Sequence, residues 1–192
     1  MRLFYAIELD FFTRDRIKAA VQELRYKTTA GRWSYPDNYH LTVQFLGEYE
    51  ADALPEFERI LHAAANVPPF TLELHGWGSF GQRHEIIWLG ADPQPSLVLL
   101  AENLAGILRE KKLSFDDRPF KPHLTIGRQV RMKDEAGDDL AALWHGPTIK
   151  AEIRMVSLME STRVNDRLVY RSLARESLRG LPTRPSEENE VF

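Results

Sequence analysis

Two short segments constrain this chain more than any other feature: His40-Leu41-Thr42-Val43 and His123-Leu124-Thr125-Ile126, separated by 83 positions. In each, histidine and threonine stand two residues apart, so an extended backbone turns both to one face and the aliphatic residues to the other. A chain with 6 His and 9 Thr in 192 residues should contain roughly 0.3 His-x-Thr triplets by chance, so a single copy is a weak motif. Two copies, each with Leu in the middle and a β-branched residue after it, are one chemical unit used twice. Whatever the fold, it has to make these two strands the walls of one groove.

The surrounding pattern supplies a frame for them. Arg2 to Leu9 reads as a first strand, and Phe12 to Arg25, with Ile17, Ala20, Val21 and Leu24 at helical spacing, as a helix. Lys27 to Tyr39 reads as a loop delivering the chain into a strand from His40 to Leu46, in which His40, Thr42, Gln44 and Leu46 share one face. A second helix is expected over Leu54 to Asn66. A strand then starts at Phe70, with Gly76 and Gly78 loosening into a turn and Glu85 to Leu89 as hairpin partner. A third helix spans about Pro95 to Lys111 on Leu97, Leu100, Leu104, Ile107 and Leu108, and a loop with Pro119 and Pro122 leads to the second motif. Asp134 to Trp144 suggests a short helix, and Ile149 to Glu160 with Leu168 to Ala174 a closing strand pair around a polar turn at Arg163 to Arg167.

The order of elements resembles two related halves, about 1–92 and 93–178, and no Gly- or Ser-rich linker divides them. One bilobal domain over 1–178 is the simplest reading, with a Pro-, Ser- and Glu-rich tail over 179–192.

Composition narrows the chemistry. Without cysteine, disulfides, thiolate metal sites and thiol nucleophiles are excluded, which fits a cytoplasmic protein. No apolar run reaches the roughly 18 residues a membrane span needs, and acidic residues follow Met1 to Tyr5 too soon for a signal peptide. A net charge of −3 argues against broad coating of nucleic acid and for local contact at an end. Against that balance, Lys111 to Lys133 carries seven basic residues around the second motif, with Asp116 and Asp117 the acidic ones.

Two imidazoles on one cleft offer a proton donor and a proton acceptor near neutral pH. The threonine hydroxyls can donate to two phosphoryl oxygens, and a nearby Arg or Lys can offset developing charge. A strained cyclic phosphodiester needs little more, with one histidine activating water and the other protonating the departing alkoxide. A two-histidine metal site lacks a carboxylate at helical spacing and leaves the threonines without a task. His84-Glu85 is isolated, His62, His75 and His145 read as surface or loop residues, and neither a serine nucleophile elbow nor a phosphate-binding Gly-rich loop is present.

The chain resembles the two-histidine phosphoesterase superfamily, and within it the RNA 2′,3′-cyclic phosphodiesterases also called 2′-5′ RNA ligases. The likeness spans about residues 1 to 175. It is carried by Arg2 to Ile7, Arg32-Trp33, Asn38 to Gly47, Pro69 to Leu72, Trp88-Leu89-Gly90 and Arg118 to Arg128. It implies an α+β fold of two pseudo-symmetric lobes, with mostly antiparallel sheets, helices outside and a central groove. The implied reaction opens a terminal 2′,3′-cyclic phosphate on RNA to a 2′-phosphate, without metal or cofactor, with reversible 2′-5′ ligation as a side activity. On that resemblance His40 acts as general acid, His123 as general base, Thr42 and Thr125 hold the phosphate, and Arg128 adds charge. The partner is an RNA end or a cyclic nucleotide, no membrane is involved, and a monomer is expected.

Two positions depart from simple expectation. Tyr39 replaces a more usual aliphatic residue. Arg128 falls five residues after His123, so it reaches the phosphate only if the strand ends or bulges near Gly127. Trp33 and Tyr39 could stack on the terminal base or belong to the core. Two other readings stay open: a phosphodiesterase for small cyclic nucleotides or ADP-ribose 1″,2″-cyclic phosphate, and a non-catalytic module that binds RNA ends.

Overall fold

The computed structural model describes residues 1–81, 86–133 and 139–180. Its elements are β1 (Arg2–Glu8), α1 (Phe11–Arg25), β2 (Thr28–Trp33), β3 (His40–Glu48), α2 (Leu54–Ala64), β4 (Phe70–Phe80), β5 (Ile86–Ala91), α3 (Pro95–Glu110), β6 (His123–Met132), β7 (Ile149–Ile153), β8 (Met155–Val164) and β9 (Arg167–Ser177). They form a four-stranded sheet in the order β3-β1-β8-β9 and a five-stranded sheet in the order β2-β6-β5-β4-β7. Every pairing is antiparallel, which makes the fold α+β. Each sheet draws strands from both sides of residues 90–95, so a sheet is not coextensive with a half of the sequence.

The strand faces turned away from the groove make one continuous core. Leu3, Tyr5 and Ile7 of β1, Leu41 of β3, and Leu72, Leu74, Ile87, Leu89, Leu124 and Ile126 of the larger sheet all lie in it, together with the apolar stripes of the helices. Alternation in β1 delivers Leu3, Tyr5 and Ile7 to this core and Phe4, Ala6 and Glu8 to the opposite face. Burying Tyr5 is tolerable because its hydroxyl donates to the Phe57 carbonyl at 2.7 Å. Helix α1 starts where Asp10 accepts from the Thr13 N–H at 2.9 Å, satisfying an otherwise orphaned donor. It packs against β7, while α2 and α3 lie together against β8 and β3.

Four expectations change. The stretch read as a loop from Lys27 contains β2 and a 3₁₀ turn at Pro36–Asn38; β2 is almost wholly exposed and lacks the alternation that would betray it. Gly76 and Gly78 lie inside β4 rather than in a turn. Gly76, at φ +72°, takes up a register shift between His75 and Trp77, and the strand runs on to Phe80. The strand expected over Ile149 to Glu160 is two strands, since β7 joins the five-stranded sheet and β8 the four-stranded one, with Arg154 between them. Within the segment expected as a helix from Asp134, a 3₁₀ turn covers Ala141–Leu143, and 134–138 lie outside the described residues. The tail from Leu181 and the His84-Glu85 pair also lie outside them. The β8–β9 hairpin closes through Asn165 and Asp166 at φ 49° and 60°, where the polar turn was expected. No described helix is long and apolar enough to cross a membrane.

Candidate active site

The two motif strands, β3 and β6, lie against each other. They arrive there differently: β3 is an edge of the four-stranded sheet, whereas β6 is flanked by β2 and β5. Each begins at its histidine, and each imidazole is tied back in the same manner. His40 Nδ1 lies 2.8 Å from the Asn38 carbonyl and His123 Nδ1 lies 2.7 Å from the Lys121 carbonyl, in both cases the residue two positions earlier. A carbonyl only accepts, so Nδ1 carries the proton and donates it, which leaves each Nε2 with a free lone pair in the neutral ring. His40 Nε2 lies 3.1 Å from Thr42 Oγ1, so in this tautomer the threonine hydroxyl donates to it.

Aromatic rings fix both imidazoles. Phe4 and Tyr170 flank His40 at centroid distances of 5.0 and 4.6 Å, the latter edge-on. Phe80 and Trp88 flank His123 at 4.9 and 6.3 Å. Trp88 lies over Gly78, where a Cβ would come within 2.2 Å of the indole ring, so that close approach requires glycine.

Burial depresses both histidines. His40 is brought down to about 4, chiefly by desolvation and further by His123; the Asn38 carbonyl and the Glu8 carboxylate pull the other way. His123 is lowered by burial and by the Arg128 guanidinium, against the Lys121 carbonyl. The two sites differ in what faces them across the sheet. Glu8 is in register with His40, whereas Gly90 is in register with His123. Glu8 is held by Arg175 at 2.9 Å and by the Ser157 hydroxyl at 2.5 Å, and the Arg175 bond is the main reason its carboxyl is held below the usual range. The first imidazole therefore has a fixed anion beside it and the second a fixed cation.

Both motif strands bulge just after the threonine. In β6 the register passes from Thr125 opposite Trp88 to Gly127 opposite Ile87, so Ile126 is the extra residue. Ile126 and Gly127 are consecutively buried, and Arg128 returns to the face of His123 and Thr125. In β3 the register passes from Thr42 opposite Ala6 to Gln44 opposite Tyr5, so Val43 is extra. This corrects the face assignment made from strict alternation. Leu46 is in the core, and Phe45, 42% exposed, joins the face of His40 with its ring 6.1 Å from Phe4. Gln44 points away from the groove, and its amide donates to the Asp116 carbonyl at 2.5 Å. The fifth residue after each histidine thus reaches the groove face, as phenylalanine in one wall and arginine in the other.

All five residues singled out from the sequence, His40, Thr42, His123, Thr125 and Arg128, fall on the groove faces of β3 and β6. Neither candidate stacking residue does. Tyr39 is 4% exposed, within the core. Trp33 covers Gly127 on the core side, with Arg25 over its ring at 5.7 Å. The groups that sequence reading passed over are Glu8, Phe4, Phe45, Phe80, Trp88 and Tyr170; only the alternation of Phe4, Ala6 and Glu8 could have pointed to any of them. His62 and His75 are exposed and paired with Glu176 and Asp92. No group of three or more potential metal ligands occurs among the described residues.

The chain is similar to proteins already known. The profile of the 2′-5′ RNA ligase superfamily matches residues 13–165. A protein of Archaeoglobus fulgidus named RNA 2′,3′-cyclic phosphodiesterase is 30% identical over 176 residues, 90% of this chain and 98% of that one. Among solved structures, TT0787 of Thermus thermophilus superposes with a TM-score of 0.75 at 28% identity, covering 94% of this chain and 99% of the other. LigT of Escherichia coli in complex with 3′-AMP superposes with a TM-score of 0.74 at 29% identity, covering 92% and 97%. Fold and likeness along nearly the whole length agree, and this chain belongs to the 2′-5′ RNA ligase superfamily.

Proposed function

We propose that the protein is an RNA 2′,3′-cyclic phosphodiesterase that opens a terminal 2′,3′-cyclic phosphate to a 2′-phosphomonoester. The observation that carries this reading is the matched anchoring of two imidazoles, each with Nδ1 committed to a carbonyl and Nε2 available to one groove. In the reaction His123 Nε2 takes a proton from water, whose oxygen attacks phosphorus. His40 Nε2, protonated, gives its proton to the 3′ oxygen as the P–O3′ bond breaks. Burial depresses both rings, and the neighbouring charges distinguish them in the sense this division requires. Glu8 favours a charged His40, and Arg128 favours a neutral His123. An anionic phosphodiester in the groove adds to the first effect and raises His40 toward the protonated form.

Thr42 and Thr125 donate to the phosphoryl oxygens, and Arg128, turned inward by its bulge, offsets the charge that builds as water adds. With a 5′ hydroxyl in place of water as the nucleophile, the same groups join two RNA ends 2′ to 5′ as the P–O3′ bond breaks, and the reverse of that step re-forms the cyclic phosphate and releases the 5′ hydroxyl. None of these steps uses a metal or a cofactor. The domain that performs them extends over 1–178. In support, Leu178 is 6% exposed in the common core, and its N–H donates to the Arg154 carbonyl at 2.9 Å.

The test is turnover of an RNA oligonucleotide ending in a 2′,3′-cyclic phosphate, with the product phosphate located by mass analysis, in the presence and absence of a chelator. His40→Ala and His123→Ala should each lower turnover by about 10²–10⁴-fold with unchanged circular dichroism, and the chelator should have no effect. Full activity in either variant refutes the assignment. Hydrolysis of nucleoside cyclic phosphates but not of the oligonucleotide redirects it to a small-nucleotide enzyme.

A further inference from the structure

We propose that the free edge of the five-stranded sheet, built by β2 and the distal half of β6, carries the RNA strand upstream of the cyclic end, with Arg32 and Arg131 contacting backbone phosphates beyond the terminal one that Arg128 holds. The proposal rests on the reading that the groove takes an RNA terminus.

Strand β2 motivates it. Between its half-buried ends, Thr28 and Trp33, every residue is exposed, so the strand contributes little to the core. The four-stranded sheet has no counterpart, because β3 is itself an edge. What β2 does add is Arg32, which stands in direct register with Arg128. Like charges directly opposite on one sheet face are destabilising, and phosphates bound along the edge relieve the penalty. Trp33 packs on the core side over Gly127, so its neighbour Arg32 faces the groove side. Val130 is buried, so Arg131 is turned to that side as well.

The two nearest cations of β9 are occupied. On β9, Arg171 pairs with Glu160 and Arg175 with Glu8. Among the described residues, no carboxylate lies within ion-pair distance of Arg32, Arg128 or Arg131. Arg128 is close enough to lower the basicity of His123, and Arg131 follows past a bulge at Gln129 (φ 52°), in register with Ala30 two residues along β2, roughly 7 Å farther down the edge. The charges therefore begin at the catalytic groove and lead away from it along the edge. On a chain whose net charge is −3, such a concentrated stripe fits single-stranded RNA, whose affinity is governed by phosphate neutralisation.

The experiment compares a ten-nucleotide RNA ending in a 2′,3′-cyclic phosphate with cytidine 2′,3′-cyclic phosphate, using the wild type and the double variant Arg32→Ser/Arg131→Ser. Removing two phosphate contacts should reduce the salt slope of oligonucleotide binding by about 1.4, which is about 7-fold in affinity between 50 and 200 mM salt. kcat/KM for the oligonucleotide should fall by about an order of magnitude at 50 mM salt, with the deficit about 7-fold smaller at 200 mM, and kcat/KM for the mononucleotide should not change. Equal losses on both substrates, or no loss on either, overturn the proposal. So does polyglutamate that competes with the RNA and binds with a steeper salt slope, since that assigns the edge to an acidic protein. Fluorescence anisotropy of the labelled oligonucleotide separates the two readings. A wild type that binds it with the expected slope but does not cleave it loses the hydrolase assignment and keeps the track. A wild type that cleaves both substrates without length preference loses the track alone.

Discussion

Acidification tests the groove without any substrate. His40 is held near 4 in the folded protein, against an ordinary value of 6.5. The sign follows from proton binding. Between those two values the unfolded chain takes up a proton on this residue that the folded chain refuses, so stability is intact above pH 6.5 and is lost as the pH falls toward 4. At pH 4.5 the loss comes to about 2–3 kcal/mol, roughly three quarters of the full value for a displacement of this size. Because the ring is only partly covered by protein, this is the upper end of the range.

The assay is urea denaturation at intervals from pH 8 to 4.5, for the wild type and for His40→Gln, which keeps a neutral polar side chain there. His123 titrates in both proteins and cancels in the difference. The carboxylates held by cations, such as Glu8 and Asp116, are lowered and release their share only at more acid pH. The wild type should lose its advantage over the variant progressively below pH 6.5. If the two curves run parallel across the whole interval, burial does not depress His40, and the electrostatic account of the groove fails with it.

Glu8→Gln removes the anion facing His40, so the imidazole becomes a stronger acid and the alkaline limb of the kcat profile should move to lower pH; an unmoved limb means that Glu8 is not felt. Gly78→Ala forces a methyl group into the Trp88 ring and should cost about 1–3 kcal/mol in thermal denaturation, with a fall in kcat/KM through displacement of the indole beside His123. Arg128→Lys keeps the charge but loses the planar fork, and a drop in kcat/KM of roughly tenfold is expected from one charge-assisted hydrogen bond; wild-type activity would place the guanidinium outside the reaction.

The chemistry was legible in the sequence because the motif residues are rare and their spacing matches the strand period. The hairpin at Asn165-Asp166 was legible from its polar turn. The break between β7 and β8 leaves a mark in the sequence: the residues that enter the common core are odd-numbered at Ile149, Ala151 and Ile153 and even-numbered at Val156 and Leu158. That change of phase is where the chain leaves one sheet for the other. Strand β2 left no mark, because an edge strand exposed on both faces needs no apolar alternation. The bulges at Val43 and Ile126 were invisible for a different reason. Each inserts a residue that is itself a good strand former, and only the partner strand reveals that it is unpaired. The pairing of Glu8 with His40 and of Arg32 with Arg128 is a property of register, which no single segment encodes.

The matched bulges have a consequence for how such a groove can change. Because the extra residue resets the alternation, the side chain five positions after each histidine is disconnected from the packing that fixes its neighbours. One wall carries a guanidinium there and the other a phenyl ring, on the same backbone device. A single codon at either position can therefore alter what the groove recognises while the buried layer beneath stays as it is. The fold thus holds two interchangeable sockets beside a fixed pair of imidazoles, and selection can edit the sockets separately.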